Sequence, residues 1–202
     1  MIEINDLAFA YEGREELFQG LSLHLDASDC VILQGENGSG KSTLLKLIVG
    51  ILKPSGGRIS VAGKPMTELS AGNFKHLCYH SQNTAENILG MTPRDDWDIW
   101  RMALPELPER EFANAQAFSA MSAGQQKQHA QLILPYLEDR FWLLDEPFAA
   151  LDQAATQALY TRLAEHHARG GGMLLIAHEL KPAAEICNRV LELKQGRLVE
   201  KG

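Results

Sequence analysis

The chain lacks what would tie it to an oxidising compartment, a lipid bilayer or nucleic acid. Its 202 residues include three cysteines, Cys30, Cys78 and Cys187, odd in number and far apart. That spacing suggests neither a disulfide framework nor a zinc site, and it suits a reducing cytoplasm. No apolar run approaches the roughly eighteen residues of a membrane-spanning helix. The richest stretch, Leu44 to Leu52, is cut by Lys46 and Gly50. The start, Met1 to Asp6, shows no basic segment followed by an apolar one, so no signal peptide is expected. Basic charge is also short. Lys and Arg number 19 against 26 Asp and Glu, a net charge of −7, which argues against nucleic acid or an anionic lipid surface as the main partner. Internal repeats and low-complexity segments are not evident. If the protein works at a membrane, it must dock on another chain. Its length and its 45% hydrophobic content suit one substantial core with at most a small subdomain.

What is present is more specific. Residues Gly35 to Thr43 read G-E-N-G-S-G-K-S-T, between the apolar run Cys30 to Leu33 and the helical pattern Leu44 to Ile48. Strand, glycine-rich loop and helix in that order make a phosphate-binding loop. Gly35, Gly38 and Gly40 let the backbone curl with its N–H groups inward, and the helix N-terminus adds partial positive charge. Asn37, Ser39 and Thr43 complete the cradle, Lys41 is placed to reach the β- and γ-phosphates, and the Ser42 hydroxyl to bind Mg²⁺. A glycine-rich turn without a ligand is the bland alternative, and the flanking strand and helix speak against it.

The surrounding pattern predicts an α/β fold. Ile2 to Ile4, Leu7 to Tyr11 and Leu21 to Leu25 alternate as strands, with Gly13 between, and Arg58 to Gly63 and Leu77 to Gln82 read as further strands. From Asn83 to about Asp139 the pattern turns helical, broken by Pro93, Pro105, Pro108 and Pro135. Strand–helix alternation then resumes with Phe141 to Leu144, a helix near Gln153 to Arg169, and Met173 to Ala177. Unbroken apolar strands alternating with helices imply a mostly parallel sheet covered on both faces, here with an N-terminal antiparallel β layer. The whole of 1–202 is therefore expected to be one domain, with a short helical subdomain inserted at about 83–140.

Leu143-Leu144-Asp145-Glu146-Pro147 places two carboxylates at the end of a buried strand, where open α/β sheets bind ligands. Asp145 is the candidate to hold Mg²⁺, and Glu146 the candidate general base for attacking water. Two acids solvating a strand end would look the same, but a phosphate loop about a hundred residues upstream favours the functional reading. Met121-Ser122-Ala123-Gly124-Gln125-Gln126 opens another helix. Ser122 and Gln125 have capping-box spacing, and a capped helix start beside a glycine is also an anion site; both readings stand on the residues alone.

The order of phosphate loop, Gln82, S-A-G-Q-Q, L-L-D-E-P, Ala150-Leu151-Asp152 and His178 resembles the ATP-binding cassette ATPases over essentially the whole chain. The resemblance implies ATP as substrate with Mg²⁺, and several residue roles follow from it. Tyr11, thirty positions before Lys41, would stack on the adenine, with Phe9 the competing aromatic. Gln82 would touch Mg²⁺ and the attacking water, His178 the γ-phosphate, and Asp152 would report across a dimer interface. Ser122, Gly124 and Gln125 of one subunit would close over ATP held by Lys41 of another. The partners implied are a second cassette subunit, identical or not, and integral membrane transporter subunits, which would hold the chain on the cytoplasmic face of a membrane.

The sequence departs from the family pattern at Met121 and Ala123, where leucine and glycine are usual. An arginine usual just after the signature is missing, with Lys127-Gln128-His129 in that region, and the stretch from Gln82 to Met121 is short. Gln82 to Thr92 looks like energy-coupling-factor importers, whereas the short insert and the S-A-G-Q-Q and D-E-P-F spellings look like small haem or cytochrome c biogenesis exporters. The importer is ranked slightly ahead on these cues. A soluble cassette ATPase acting on DNA or ribosomes, and a nucleotide-binding regulator without turnover, are the readings of other classes.

Overall fold

A computed structural model describes residues 1–66, 75–112, 116–177 and 183–201. Strands β1 (Ile2–Ala10), β2 (Glu16–Leu25) and β3 (Cys30–Gln34) lead into helix α1 (Lys41–Ile48), followed by β4 (Gly56–Val61), β5 (Lys64–Pro65) and β6 (Leu77–His80). Helices α2 (Pro93–Ala103) and α3 (Ala123–Ala130) precede β7 (Phe141–Asp145), α4 (Gln153–Ala168), β8 (Met173–Ile176) and the hairpin β9 (Arg189–Lys194) and β10 (Arg197–Lys201). The strands form two sheets. One is antiparallel in the order β2-β1-β4-β5; the other runs β10-β9-β3-β8-β7-β6. All neighbours in the second sheet pair in parallel except β10, which folds back on β9.

Alternation along the parallel strands divides the core. Val31, Leu33, Leu143, Leu174 and Ile176 join α1 and the antiparallel sheet in one cluster. Cys30, Trp142, Leu144, Met173 and Leu175 face the other way, with Leu159 and Leu163 of α4 and Trp97 of α2. Both faces of the sheet are thus covered, which is why its strands read as unbroken apolar runs. Helix α1 is held by Leu44, Leu45, Leu47 and Ile48, all buried. Each fully buried aliphatic side chain stabilises by about 1.5–3 kcal/mol, so the loop before α1 is anchored on a rigid base.

Register brings the strand ends together. Leu33 of β3 and Asp145 of β7 both pair with Ile176 of β8, one on each side, and His80 of β6 pairs with Leu144. The chain leaving β3, β6 and β7 therefore emerges at the C-terminal end of the sheet's strands, where α/β proteins bind ligands.

Four local differences separate the structure from the sequence reading. Strand β1 is continuous through Asn5 and Asp6, because a bulge with Asp6 at φ 49° carries the pairing across the break in alternation. The helix opened by the Ser122 segment is α-helical only to Ala130, then tightens to 3₁₀ over Gln131–Tyr136. Pro135 has no N–H for the Gln131 carbonyl, and Arg162 Nη1 takes that acceptor at 2.9 Å. The hairpin β9–β10 is additional to the strands that the sequence pattern predicts. Thr92 and Asp95 form a reciprocal cap with Pro93 at the first turn of α2, so the proline expected to break a helix starts one.

Candidate functional site

The loop between β3 and α1 is built for an anion. Gly40 caps α1 at φ 103° with no side-chain hydrogen bond to the first turn, so the N–H groups there point outward for a ligand. A Cβ at Gly40 would stand 2.9 Å from the buried Phe18 ring, and one at Gly35 2.5 Å from the Leu193 carbonyl oxygen. Glycine is required at both for space as well as for φ. Lys41 is 7% exposed, and its Nζ donates to the Gly35 and Glu36 carbonyls at 2.8 and 2.9 Å, which holds the ammonium over the loop.

A groove of about 1190 Å³ runs over this loop and brings together Tyr11, Lys41, Ser42, Thr43, Gln82 and Glu146; Asn37, Gly38 and Gly40 also line it. Tyr11 stands at its rim, 45% exposed, and its hydroxyl shares a 3.0 Å hydrogen bond with Thr43 Oγ1. Phe9, edge-on to Tyr11 at 4.9 Å, is 5% exposed and packs in the core. Of the two aromatics, Tyr11 is the one offered to a ligand.

Gln82 and Glu146 meet across the groove, with Gln82 Nε2 donating to Glu146 Oε2 at 2.9 Å. Glu146 sits at φ 48°, which turns its side chain away from the line of β7. Asp145 is buried, and among the described residues its Oδ1 has no hydrogen-bond partner. Burial raises its pKa and a hydrogen bond from the Ser42 hydroxyl lowers it. A buried carboxylate oxygen without a partner, beside a hydroxyl, fits a hard divalent cation. No group of three or more His, Cys, Asp or Glu that could cage a metal occurs among the described residues. An ion held here would draw its other ligands from phosphate and water, as Mg²⁺ does.

The signature segment lies elsewhere. Ser122 caps α3 by accepting from Gln125 N at 3.2 Å, and Gln125 Oε1 accepts from Ser122 N at 2.9 Å. The capping-box reading is therefore correct, yet both side chains are exposed, and Ser122, Gly124 and Gln125 do not line the groove of their own chain. Ala123 opens α3 with ordinary helical φ, so its methyl group causes no strain. Asp152 caps α4, accepting from Ala155 N at 2.7 Å, and is also outside the groove. Ser39 Oγ is buried beneath the loop. His178 lies outside the described residues.

One side chain that the motifs did not nominate touches this site. Lys127, 3% exposed, donates from Nζ to the Glu146 carbonyl at 2.7 Å. Its pKa is lowered by burial and raised by the nearby carboxylates of Glu146 and Asp145. In sequence it was visible only as the residue standing near a missing arginine.

Comparison with known proteins identifies the family to which this fold belongs. A family model described as ABC transporter matches residues 18–149. The cytochrome c biogenesis ATP-binding export protein CcmA of Legionella pneumophila (strain Lens) is 33% identical over 190 residues, covering 90% of this chain and 94% of its own. CcmA 1 of Salmonella paratyphi A is 33% identical over 203 residues, covering 97% and 98%. A solved structure described as the ATP binding subunit of an ABC transporter superposes with a TM-score of 0.83 at 27% identity, covering 100% of this chain and 89% of its own. With a phosphate loop, an acid pair and a capped signature helix on this fold, the chain belongs to the ABC transporter family as an ATP-hydrolysing, nucleotide-binding subunit.

Proposed function

We propose that this chain drives a membrane exporter of the cytochrome c biogenesis type, as one of two cassettes that close around two ATP molecules on the cytoplasmic face of the membrane. The observation that carries this reading is the likeness to CcmA proteins, which spans 90% or more of the chain rather than one motif. It reverses the ranking that the stretch Gln82 to Thr92 suggested. The importer reading stands second, on that stretch alone. No helix among the described residues is long and apolar enough to cross a membrane. The cassette is read as one domain over 1–202, with α2 and α3 in an inserted helical part at about 83–140.

In this proposal Tyr11 stacks on adenine, while Lys41 and the loop from Gly35 to Thr43 bind the phosphates. Ser42 and Asp145 would hold Mg²⁺ with Gln82 beside them, and the ion would neutralise charge on the β- and γ-phosphate oxygens. Glu146 accepts a proton from the attacking water, which Gln82, 2.9 Å from that carboxylate, helps to orient. His178 would contact the γ-phosphate and Asp152 would face the partner subunit. The exposed start of α3 would cover the partner's ATP rather than its own, since it does not reach its own groove. ATP bridging two subunits favours the closed dimer, and hydrolysis releases it.

Complementation tests the assignment. Expressed in a strain lacking CcmA, the chain should restore c-type cytochromes visible by haem staining. If it restores none, and copurifies with the membrane subunit of an importer instead, the second reading replaces the first.

A further inference from the structure

Gly124, Lys127 and Gln131 follow one another at helical spacing, and all three meet the chain that leaves β7. A Cβ at Gly124 would lie 2.5 Å from the Ala150 carbonyl oxygen. Lys127 Nζ donates to the Glu146 carbonyl at 2.7 Å, and Gln131 Nε2 to the Pro147 carbonyl at 2.8 Å. The segment they contact is irregular at both ends, with Glu146 at φ 48° and Ala150 at φ 63°. Residues with side chains enter that region only when the surroundings impose it. Here the surroundings are the inner face of α3 and the first residue after it.

Lys127 is the costly member of this face. It is 3% exposed, and a methionine would fill similar space without desolvating an ammonium group. What the charge adds is a strong donor to one main-chain oxygen, that of the residue whose carboxylate meets Gln82. Gln131, equally buried, repeats the contact on the next carbonyl. We propose that Lys127, assisted by Gln131, is a positioning residue for hydrolysis, holding the Glu146 main chain in its left-handed turn so that the carboxylate faces the groove. The role rests on the reading of Glu146 as general base. Because α3 starts just after Ser122, its eight residues also join the signature to the catalytic loop of the same chain.

A mutant cycle tests this role, using single-turnover hydrolysis at excess protein, affinity for a fluorescent ATP analogue and the unfolding temperature. Lys127→Met should slow hydrolysis about tenfold or more while nucleotide affinity stays within about twofold, because the lost contact acts on the base and not on the phosphates. In a Glu146→Gln background the same change should slow the residual rate by less than about twofold, the coupling expected of residues acting as one unit. Lys127→Arg, which keeps a donor, should recover part of the rate. A core lysine of purely structural value would lower the unfolding temperature and leave the two slowdowns additive. Should Lys127→Met not fold, Gln131→Leu carries the cycle, with a slowing of about threefold expected and the same non-additivity. Additive effects, or wild-type turnover in Lys127→Met beside a strongly slowed Glu146→Gln, overturn the positioning role alone. Wild-type turnover in Glu146→Gln itself overturns the general-base assignment and the positioning role with it.

Discussion

Replacing Lys41 with alanine removes the ammonium group held over the phosphate loop. In the folded chain that group is bonded to the Gly35 and Glu36 carbonyls at 2.8 and 2.9 Å, and it is nearly buried. A charge-assisted hydrogen bond to phosphate is worth about 1.5–3 kcal/mol, which corresponds to roughly 10–150-fold in Kd. Part of that is offset, because phosphate must compete with the two carbonyls for the same three protons. The loss should therefore fall toward the low end, at least about tenfold. Titration with a fluorescent ATP analogue measures it directly. Loss of the two carbonyl contacts should also relax the loop by about 1 kcal/mol, a fall of about 2–4 °C in unfolding temperature for a chain of this size. A Kd unchanged in Lys41→Ala, with the protein folded, would show that phosphate is not bound over this loop.

Three further outcomes are expected. Glu146→Gln should bind ATP yet hydrolyse it only at a small residual rate, and should accumulate as an ATP-bound dimer in size exclusion; turnover at the wild-type rate would sink the general-base role. Ser122→Arg opposes the dipole of α3 at its exposed start, so ATP-driven dimerisation and turnover should fail while the monomer still binds ATP, and mixing it with Lys41→Ala should restore some activity by placing both lesions in one composite site. If Ser122→Arg abolishes ATP binding to the monomer, the signature serves its own subunit. His80, which burial lowers from 6.5 to about 4, protonates in the unfolded chain before the folded one, so stability should fall as pH drops from 6.5 toward 4, by up to about 3 kcal/mol. His80→Asn should flatten that part of the pH–stability curve, and an unaltered curve would place the acid sensitivity elsewhere.

Much of the site was legible because its chemistry depends on short, contiguous spellings. The glycines of the loop are needed for φ and for space, so the loop can hardly be written otherwise. Asp145 and Glu146 end an apolar strand, and a buried parallel strand can present acids only at its end. Strand propensity alone does not separate Tyr11 from Phe9, and only the spacing to Lys41 favours Tyr11; the core takes Phe9 through its pairing with Phe18 of β2. Lys127 and Gln131 were not legible as site residues for a different reason. Their partners are main-chain carbonyls of Glu146 and Pro147, and carbonyls leave no trace in the identity of the residues that carry them. The hairpin β9–β10 escaped because its outer strand is largely exposed at a sheet edge and carries little apolar alternation.

The stretch after Gln82 favours the importer while the likeness to CcmA proteins favours the exporter, and the geometry of that stretch explains the difference. Asn83 caps a one-turn 3₁₀ helix by accepting from Ala85 N at 3.3 Å. The Asn87 side chain clasps Ser81 twice, accepting from its N–H and donating to its carbonyl, both at 2.8 Å. Ser81 Oγ in turn donates to Glu86 at 2.7 Å, and Glu86 lies 3.8 Å from Lys46 of α1. These residues close a tight polar loop that fixes where Gln82 leaves β6. Asparagine at 83 and 87 is thus demanded by loop closure beside the phosphate site, a need that is independent of the direction of transport or the cargo. Spelling dictated by a local clasp can recur in cassettes of either kind, whereas similarity sustained along the whole chain also samples the surfaces that meet a particular partner. For that reason the exporter reading takes precedence over the importer-like stretch.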